Sequence, residues 1–317
     1  MNGNKTRQRA WALGGGWLLA LVLSGCANLS PVPVSPESTN ASNPTATGAE
    51  VPQVRRPVHL GLALGGGAAR GFAHVGVIQV LEEAGLKPSH VTGTSAGSLV
   101  AALYASGKSV PELRKAAETM EEAEITDWML PLLNRGALRG EALAKYVNTQ
   151  VGGRQLEQMK IPLGIVATDL RSGEAITFRR GNTGSAVRAS SAVPAVFQPV
   201  RIGDREYVDG GLVAPVPVRQ TREMGANFVI AVDISSDPEG NPAGDTFQIL
   251  LQTFTIMGKS INTLALKEAD MVIRPALSGV KSADFSARRR SIEAGRIAML
   301  AQLPRLKERL AAFEAGH

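Results

Sequence analysis

The chain has 317 residues, 44% hydrophobic, 4% aromatic and 20% charged, and its 34 basic and 28 acidic side chains give a formal net charge of +6. That length and apolarity support a full-sized core and exclude a wholly disordered chain. Sparse aromatics without interleaved basic residues give no case for nucleic acid as a partner, and a single cysteine, Cys26, excludes an internal disulfide.

At the N-terminus, Lys5, Arg7 and Arg9 precede an apolar run of 13 residues, Trp11 to Leu23, too short to span a bilayer comfortably. The run ends in Leu23-Ser24-Gly25-Cys26, which resembles a bacterial lipobox. The resemblance implies a signal peptide over residues 1–25, cleavage before Cys26 and lipid attachment to that residue, which anchors the chain in a membrane. Ala27 follows where many lipoproteins of the inner membrane carry aspartate, so the expected location is the outer membrane, facing the periplasm. Removing three basic residues from +6 leaves +3, a mild balance suited to work beside anionic lipid. Residues 26–54, rich in Pro, Ser, Thr and Asn, are expected to form a disordered linker.

From residue 55 onward, one domain is expected. His59 to Leu64 is strand-like and runs into a glycine turn, Gly65-Gly66-Gly67-Ala68-Ala69-Arg70-Gly71, followed by helical spacing. His90 to Thr92 is a second strand, leading to Gly93-Thr94-Ser95-Ala96-Gly97 and a helix from Ser98. The pentapeptide matches G-x-S-x-G, in which a serine on a tight strand-to-helix turn exposes its hydroxyl. Ser95 is thus a nucleophile or a helix cap. The glycine turn offers backbone N–H groups either to a phosphate or to the oxyanion of an acyl intermediate. It lacks the G-K-[ST] ending of a P-loop and the spacing of a dinucleotide fingerprint.

Val110 to Glu124 and Gly140 to Gln150 read as helices, with an apolar loop, Trp128 to Leu133, between them that suits either core or an acyl channel. Leu163 to Leu170 and Glu174 to Phe178 read as strands around Arg171-Ser172-Gly173. Ala186 to Ala195 is a small-residue run that lets a helix approach the serine, with Ser190 and Ser191 beside the site. Tyr207-Val208-Asp209-Gly210-Gly211-Leu212 is a carboxylate at a turn, either a base or a plain hairpin. Pro215 to Val218 starts a helix to Met224, Asn227 to Ile234 is a buried strand, Thr246 to Ala269 a long helix and Met271 to Arg274 a last strand. Asp233 is expected to cap or satisfy a loop. From Arg288 a basic amphipathic helical tail to residue 314 is expected to dock on the sheet or to rest on a membrane.

A nucleophilic serine needs a base, and the four histidines are His59, His74, His90 and His317. Only His317 follows Ser95, and a terminal residue cannot hold a catalytic geometry. His74, inside the first helix, is expected to pack or to pin the glycine turn rather than to act as base. A carboxylate is left. No Ca²⁺ loop or Zn²⁺ ligand spacing is present, so no metal or other cofactor is expected.

The glycine turn ending in Arg-Gly, the Gly-Thr-Ser-Ala-Gly turn and the Asp-Gly-Gly turn, in that order, resemble the patatin-like phospholipases over residues 58–275. The resemblance implies an α/β fold, a three-layer sandwich with a central, mainly parallel sheet and helices on both faces. It implies a Ser-Asp dyad, Ser95 as nucleophile and Asp209 as proton acceptor, with oxyanion donors at Gly66, Gly67, Ala68 and Ala96. Arg70, Gly71, Gly93, Gly97, Gly210 and Gly211 support these motifs. Many members carry a fourth glycine where this chain has Ala68, an alanine that supplies an N–H but disfavours positive φ. The implied activity is hydrolysis of a phospholipid or other acyl ester, as a phospholipase A, lysophospholipase or carboxylesterase. An acyltransferase and a non-catalytic membrane-tethered binding module are the alternatives.

Overall fold

The computed structural model describes residues 57–122, 127, 136–239, 243–281 and 283–316. The expected signal segment, Cys26, the linker and the Trp128 to Leu133 loop lie outside them.

Strand β1 (Leu60–Leu64) is buried along its whole length. It has no polar alternation because it lies mid-sheet, paired in parallel with β2 (His90–Thr94) on one side and β9 (Phe228–Val232) on the other. Its side chains divide between two cores. Leu62 and Leu64, with Ile230 and Val232, pack with α1 (Ala73–Glu83) and the C-terminal helix α8 (Arg288–Glu314). Ala63, with Val229 and Ala231, packs beneath Val218 of α6 (Val218–Glu223) and Leu266. The fold is therefore α/β, with helices on both faces of one sheet.

Among the described residues that sheet has eight strands, in the order β10-β9-β1-β2-β4-β8-β7, with β5 also paired to β4. β10 is Met271–Ile273, β4 Leu163–Asp169, β5 Ala175–Phe178, β7 Val200–Ile202 and β8 Arg205–Asp209. β10, β9, β1, β2 and β4 run parallel; β5 and β8 are antiparallel to β4, and β7 to β8. β4 meets three strands. β5 pairs with Ile165 to Thr168, β2 with Leu163 to Val166 and β8 with Ala167 to Asp169. A strand has two edges, so β5 occupies one and β2 and β8 share the other, meeting end to end.

Three boundaries differ from the sequence expectation. The small-residue run is not one helix: α5 (Thr183–Ser190) stops before Pro194, and Ala195–Phe197 forms β6, paired in parallel with β3 (Gly136–Leu138). Proline supplies no N–H to continue a helix. Helix α3 ends at Thr119 rather than Glu124, and α7 (Thr246–Ala265) passes into a 3₁₀ turn at Leu266. The remaining α-helices given by the described residues are α2 (Ala96–Ala105) and α4 (Glu141–Gln150). No helix among the described residues is long and apolar enough to cross a membrane.

The basic tail docks on the fold as α8. Ile292, Met299 and Leu306 are fully buried. α8 crosses α1 at two glycines: a Cβ on Gly76 would stand 1.9 Å from the Ile292 carbonyl oxygen, and one on Gly295 would stand 1.9 Å from that of Ala73. Backbone therefore lies on backbone, a contact that no side chain can share. Gly295→Ala is expected to lower stability by about 3 kcal/mol, read from the urea midpoint, because both helices must separate to admit one methyl group.

Candidate active site

Ser95 sits between β2 and α2 with φ 53 and ψ −123, a strained conformation that turns the chain sharply from strand to helix. The flanking glycines make this turn possible. A Cβ on Gly93 would lie 2.4 Å from the Gly97 carbonyl oxygen, and one on Gly97 would lie 2.2 Å from that of Leu64. Helix α2 thus presses its first turn directly onto β1 and β2.

Asp209 is the last residue of β8, 6% exposed. In register, Thr94 pairs with Val166 and Asp209 with Ala167, so the ends of β2 and β8 face each other across adjacent residues of β4. The Asp-Gly-Gly segment is not a hairpin: Gly210–Leu212 is a 3₁₀ turn leading toward α6. Gly210 lies on β4, where a Cβ would come 2.2 Å from the Val166 carbonyl oxygen.

The Asp209 backbone is tied on both sides, its N–H donating to Ala192 O at 2.9 Å and its carbonyl accepting from Thr168 Oγ1 at 2.8 Å. Oδ1 accepts the Gly211 N–H at 2.7 Å. Oδ2 is buried and completes no hydrogen bond, and the Ser95 hydroxyl is near enough to stabilise the carboxylate. Burial pushes the Asp209 carboxyl up to about 6, against the opposing pull of Ser95 and the Gly211 N–H. Catalytic hydrogen bonds commonly tighten only when substrate is bound.

The glycine turn wraps the same point. A Cβ on Gly66 would lie 3.2 Å from Ser95 Cβ, and one on Gly71 would lie 2.8 Å from Ala96 Cβ. Ala68 adopts φ 49, the left-handed conformation that alanine disfavours, and so takes the place a glycine would fill. The amides of Gly67, Ala68 and Ala96 have no acceptor among the described residues. Gly66, expected among the oxyanion donors, instead gives its N–H to the Pro215 carbonyl at 2.9 Å. Its amide anchors the turn to the segment after Asp209.

His74 is fully buried and donates Nε2–H to the Gly65 carbonyl at 2.8 Å, pinning the turn as its position in the first helix suggested. Burial pushes its pKa down to about 4, so the ring is neutral at physiological pH. Asp233 lies apart from the serine. Its Oδ1 accepts the Ser235 N–H and hydroxyl, and its Oδ2 pairs with Arg274 at 3.1 Å.

The sequence set Ser190 beside the site but did not give its partners. Ser190, the last residue of α5 and fully buried, accepts the Ser95 N–H at 2.8 Å and donates to the Val166 carbonyl at 2.5 Å. It bridges the strained turn to β4. The signal for it was only the Ser-Ser pair within the small-residue run.

An apolar cavity of about 280 Å³ opens beside Ser95. Ala68, Leu99, Leu103, Leu113, Leu143 and Phe197 are among the side chains lining it, drawn from the glycine turn, α2, α3, α4 and β6. No three metal-ligating side chains gather among the described residues.

Residues 62–222 match the family model for patatin-like phospholipases. Over 185 residues the chain is 37% identical to an uncharacterised NTE family protein of Mycobacterium tuberculosis, covering 58% of this chain and 51% of that one. It is 30% identical to mouse patatin-like phospholipase domain-containing protein 6 over 230 residues, 70% of this chain and 16% of the mouse protein. The chain thus spans about half the length of the mycobacterial relative and a small part of the mouse one. Among solved structures, VipD of Legionella pneumophila shares the fold with a TM-score of 0.54 at 16% identity, covering 79% of this chain and 67% of VipD. With a fold of this architecture and a family match across more than half of its length, this chain belongs to the patatin-like phospholipase family.

Proposed function

We propose that this protein is a serine-dependent lipid acyl hydrolase of the phospholipase A, lysophospholipase or carboxylesterase type. The observation that carries the reading is the convergence of Ser95, on a strained strand-to-helix turn, with the buried Asp209, beside an apolar cavity. The cavity suits an acyl chain, whose burial contributes roughly 0.8 kcal/mol per methylene.

In this mechanism the acyl chain enters the cavity and the ester carbonyl meets Ser95. Oγ attacks the carbonyl carbon while Asp209 Oδ2 accepts the hydroxyl proton. The oxyanion takes the N–H groups of Gly67, Ala68 and Ala96, each worth roughly 3–4 kcal/mol in comparable sites. The C–O bond to the leaving alcohol breaks, and Asp209 returns the proton to that oxygen. A water then attacks the acyl-Ser95 ester, Asp209 takes its proton, and the fatty acid leaves as the proton passes back to Ser95 Oγ. A carboxylate at its ordinary pKa is a weak base at neutral pH, and the burial of Asp209 strengthens it.

The N-terminal segment extends the proposal to location: a lipid at Cys26 would hold the domain beside its substrate, on the periplasmic face of an outer membrane.

Trapping with a fluorophosphonate ester, read by intact mass, is expected to give one adduct on the parent, none on Ser95→Ala and a much slowed one on Asp209→Asn. Ser95→Ala should lower kcat for a p-nitrophenyl ester by about ten-thousand-fold while the circular dichroism spectrum is unchanged. Full activity in that variant would sink the assignment.

The pH profile of kcat/KM should rise through about 6 as Asp209 ionises and then level. The same shift has the opposite sign for stability. A carboxyl whose folded pKa is raised favours folding while protonated and loses that advantage between its unfolded value near 4 and about 6. Asp209→Asn is therefore expected to be inactive yet more stable than the parent at pH 8 by about 2–3 kcal/mol, a gain that shrinks below pH 6 in urea melts.

Ser190→Ala removes the bridge without touching substrate. Its kcat should fall roughly 10- to 100-fold with KM nearly unchanged, and the inflection near pH 6 should stay in place.

A further inference from the structure

The glycine turn has a second side. Ala68 and Gly71 of its 3₁₀ segment line the apolar cavity, whereas Arg70 lines a separate polar cavity of about 700 Å³ beyond the end of β9. Arg70 is 7% exposed, its Nε has no acceptor, and no acid among the described residues forms an ion pair with it. Among the described residues Asp233 is the one acid that acts on it through space, and both oxygens of that carboxylate are committed, to Ser235 and to Arg274. The attraction of Asp233 offsets only part of the cost of burying this cation, and an anion in the cavity would offset more of it.

A second side chain in the same cavity is also incomplete. Asn262 of α7 is 3% exposed and its Oδ1 has no donor. The other charges on the wall mostly cancel. Lys259 pairs with Asp237 at 3.0 Å and Arg274 with Asp233, leaving Arg70 and Lys281 against Glu239 at the rim. The net balance is one positive charge. A ligand that satisfies both orphan atoms must accept from a guanidinium and donate to an amide oxygen.

We propose that this cavity binds the phosphate group of a polyol phosphate, with the phosphate on Arg70 and a hydroxyl of the polyol on Asn262. Such chemistry comes either as a soluble glycerol phosphate or as the head group of an anionic lipid. The bound anion would also steady the turn that carries the amides of Gly67 and Ala68. That coupling rests on the Ser95–Asp209 reading, whereas binding itself does not.

The test is the melting temperature of the full-length purified protein, titrated with glycerol 1-phosphate and with inorganic phosphate against sodium chloride at matched ionic strength. Vesicles of phosphatidylcholine with and without phosphatidylglycerol form a second arm, read by co-sedimentation. A saturable rise in Tm with glycerol phosphate, following mass action, supports a soluble ligand. Added co-sedimentation with phosphatidylglycerol, lost in Asn262→Asp, supports the lipid head group. Arg70→Met should abolish either response, and Asn262→Asp, which sets a like charge against the phosphate, should weaken it by about tenfold or more. Lys281→Met, at the rim and away from the oxyanion turn, should weaken it less. No response beyond chloride in either arm, or an undiminished response in both Asn262→Asp and Lys281→Met, would overturn the proposal. Because Tm is read without turnover, an inactive but anion-stabilised protein would refute the hydrolase reading alone.

Discussion

The site depends on one edge of β4 being divided between two strands. β2 arrives parallel and ends at Thr94, opposite Val166; β8 arrives antiparallel and ends at Asp209, opposite Ala167. Adjacent residues of a strand are about 3.3 Å apart along it, so this register alone brings Ser95 and Asp209 together. Slipping β8 by one residue would turn Asp209 to the other face of the sheet. The Val166 carbonyl is the fixed point. Ser190 hydrogen-bonds to it while holding the Ser95 amide, and Gly210 lies against it with no room for a side chain.

Costs are concentrated around that edge. Ser95 and Ala68 both hold positive φ without being glycine, Asp209 is a carboxylate in an apolar setting, and His74 is a buried imidazole with one unpartnered nitrogen. Strained residues of this kind cost of order 1–3 kcal/mol each and persist where the surroundings over-determine them. Here the surroundings are the two apolar layers on either side of β1 and β9, and the backbone contact of α1 with α8. The proposed chemistry draws on the same costs, since burial raises the pKa of the aspartate and the turn leaves amides without acceptors among the described residues.

The glycine turn acts as a thin wall between two cavities of opposite character. Its 3₁₀ geometry, about three residues per turn, places Ala68 and Gly71 on one side and Arg70 on another. An apolar chain beside Ser95 and a polar group beside Arg70 would therefore be felt by the same five residues.

What could be read without coordinates was whatever local chemistry specifies. Strands β1 and β9 declared themselves as unbroken apolar runs, and Gly93 and Gly97 marked a turn too tight for side chains. The absence of a usable histidine after Ser95 directed attention to a carboxylate, and the family motif to Asp209. Strands β3, β6 and β7 have three residues each and carry no periodicity, so nothing in the small-residue run marked the strand that follows Pro194 and pairs with β3. The amides could not be assigned from sequence at all. Whether an N–H is free depends on which carbonyl lies opposite, and only the packing of the Pro215 segment takes Gly66 out of the oxyanion set. Sequence by itself determined which residues are the candidates for the site, because the serine turn, the glycine turn and the Asp-Gly-Gly turn are local choices of side chain and φ. Tertiary structure alone decided their register, their partners and their pKa, because those depend on contacts between segments far apart in the chain, such as Thr94 with Val166, Ser95 with Ser190 and Gly66 with Pro215.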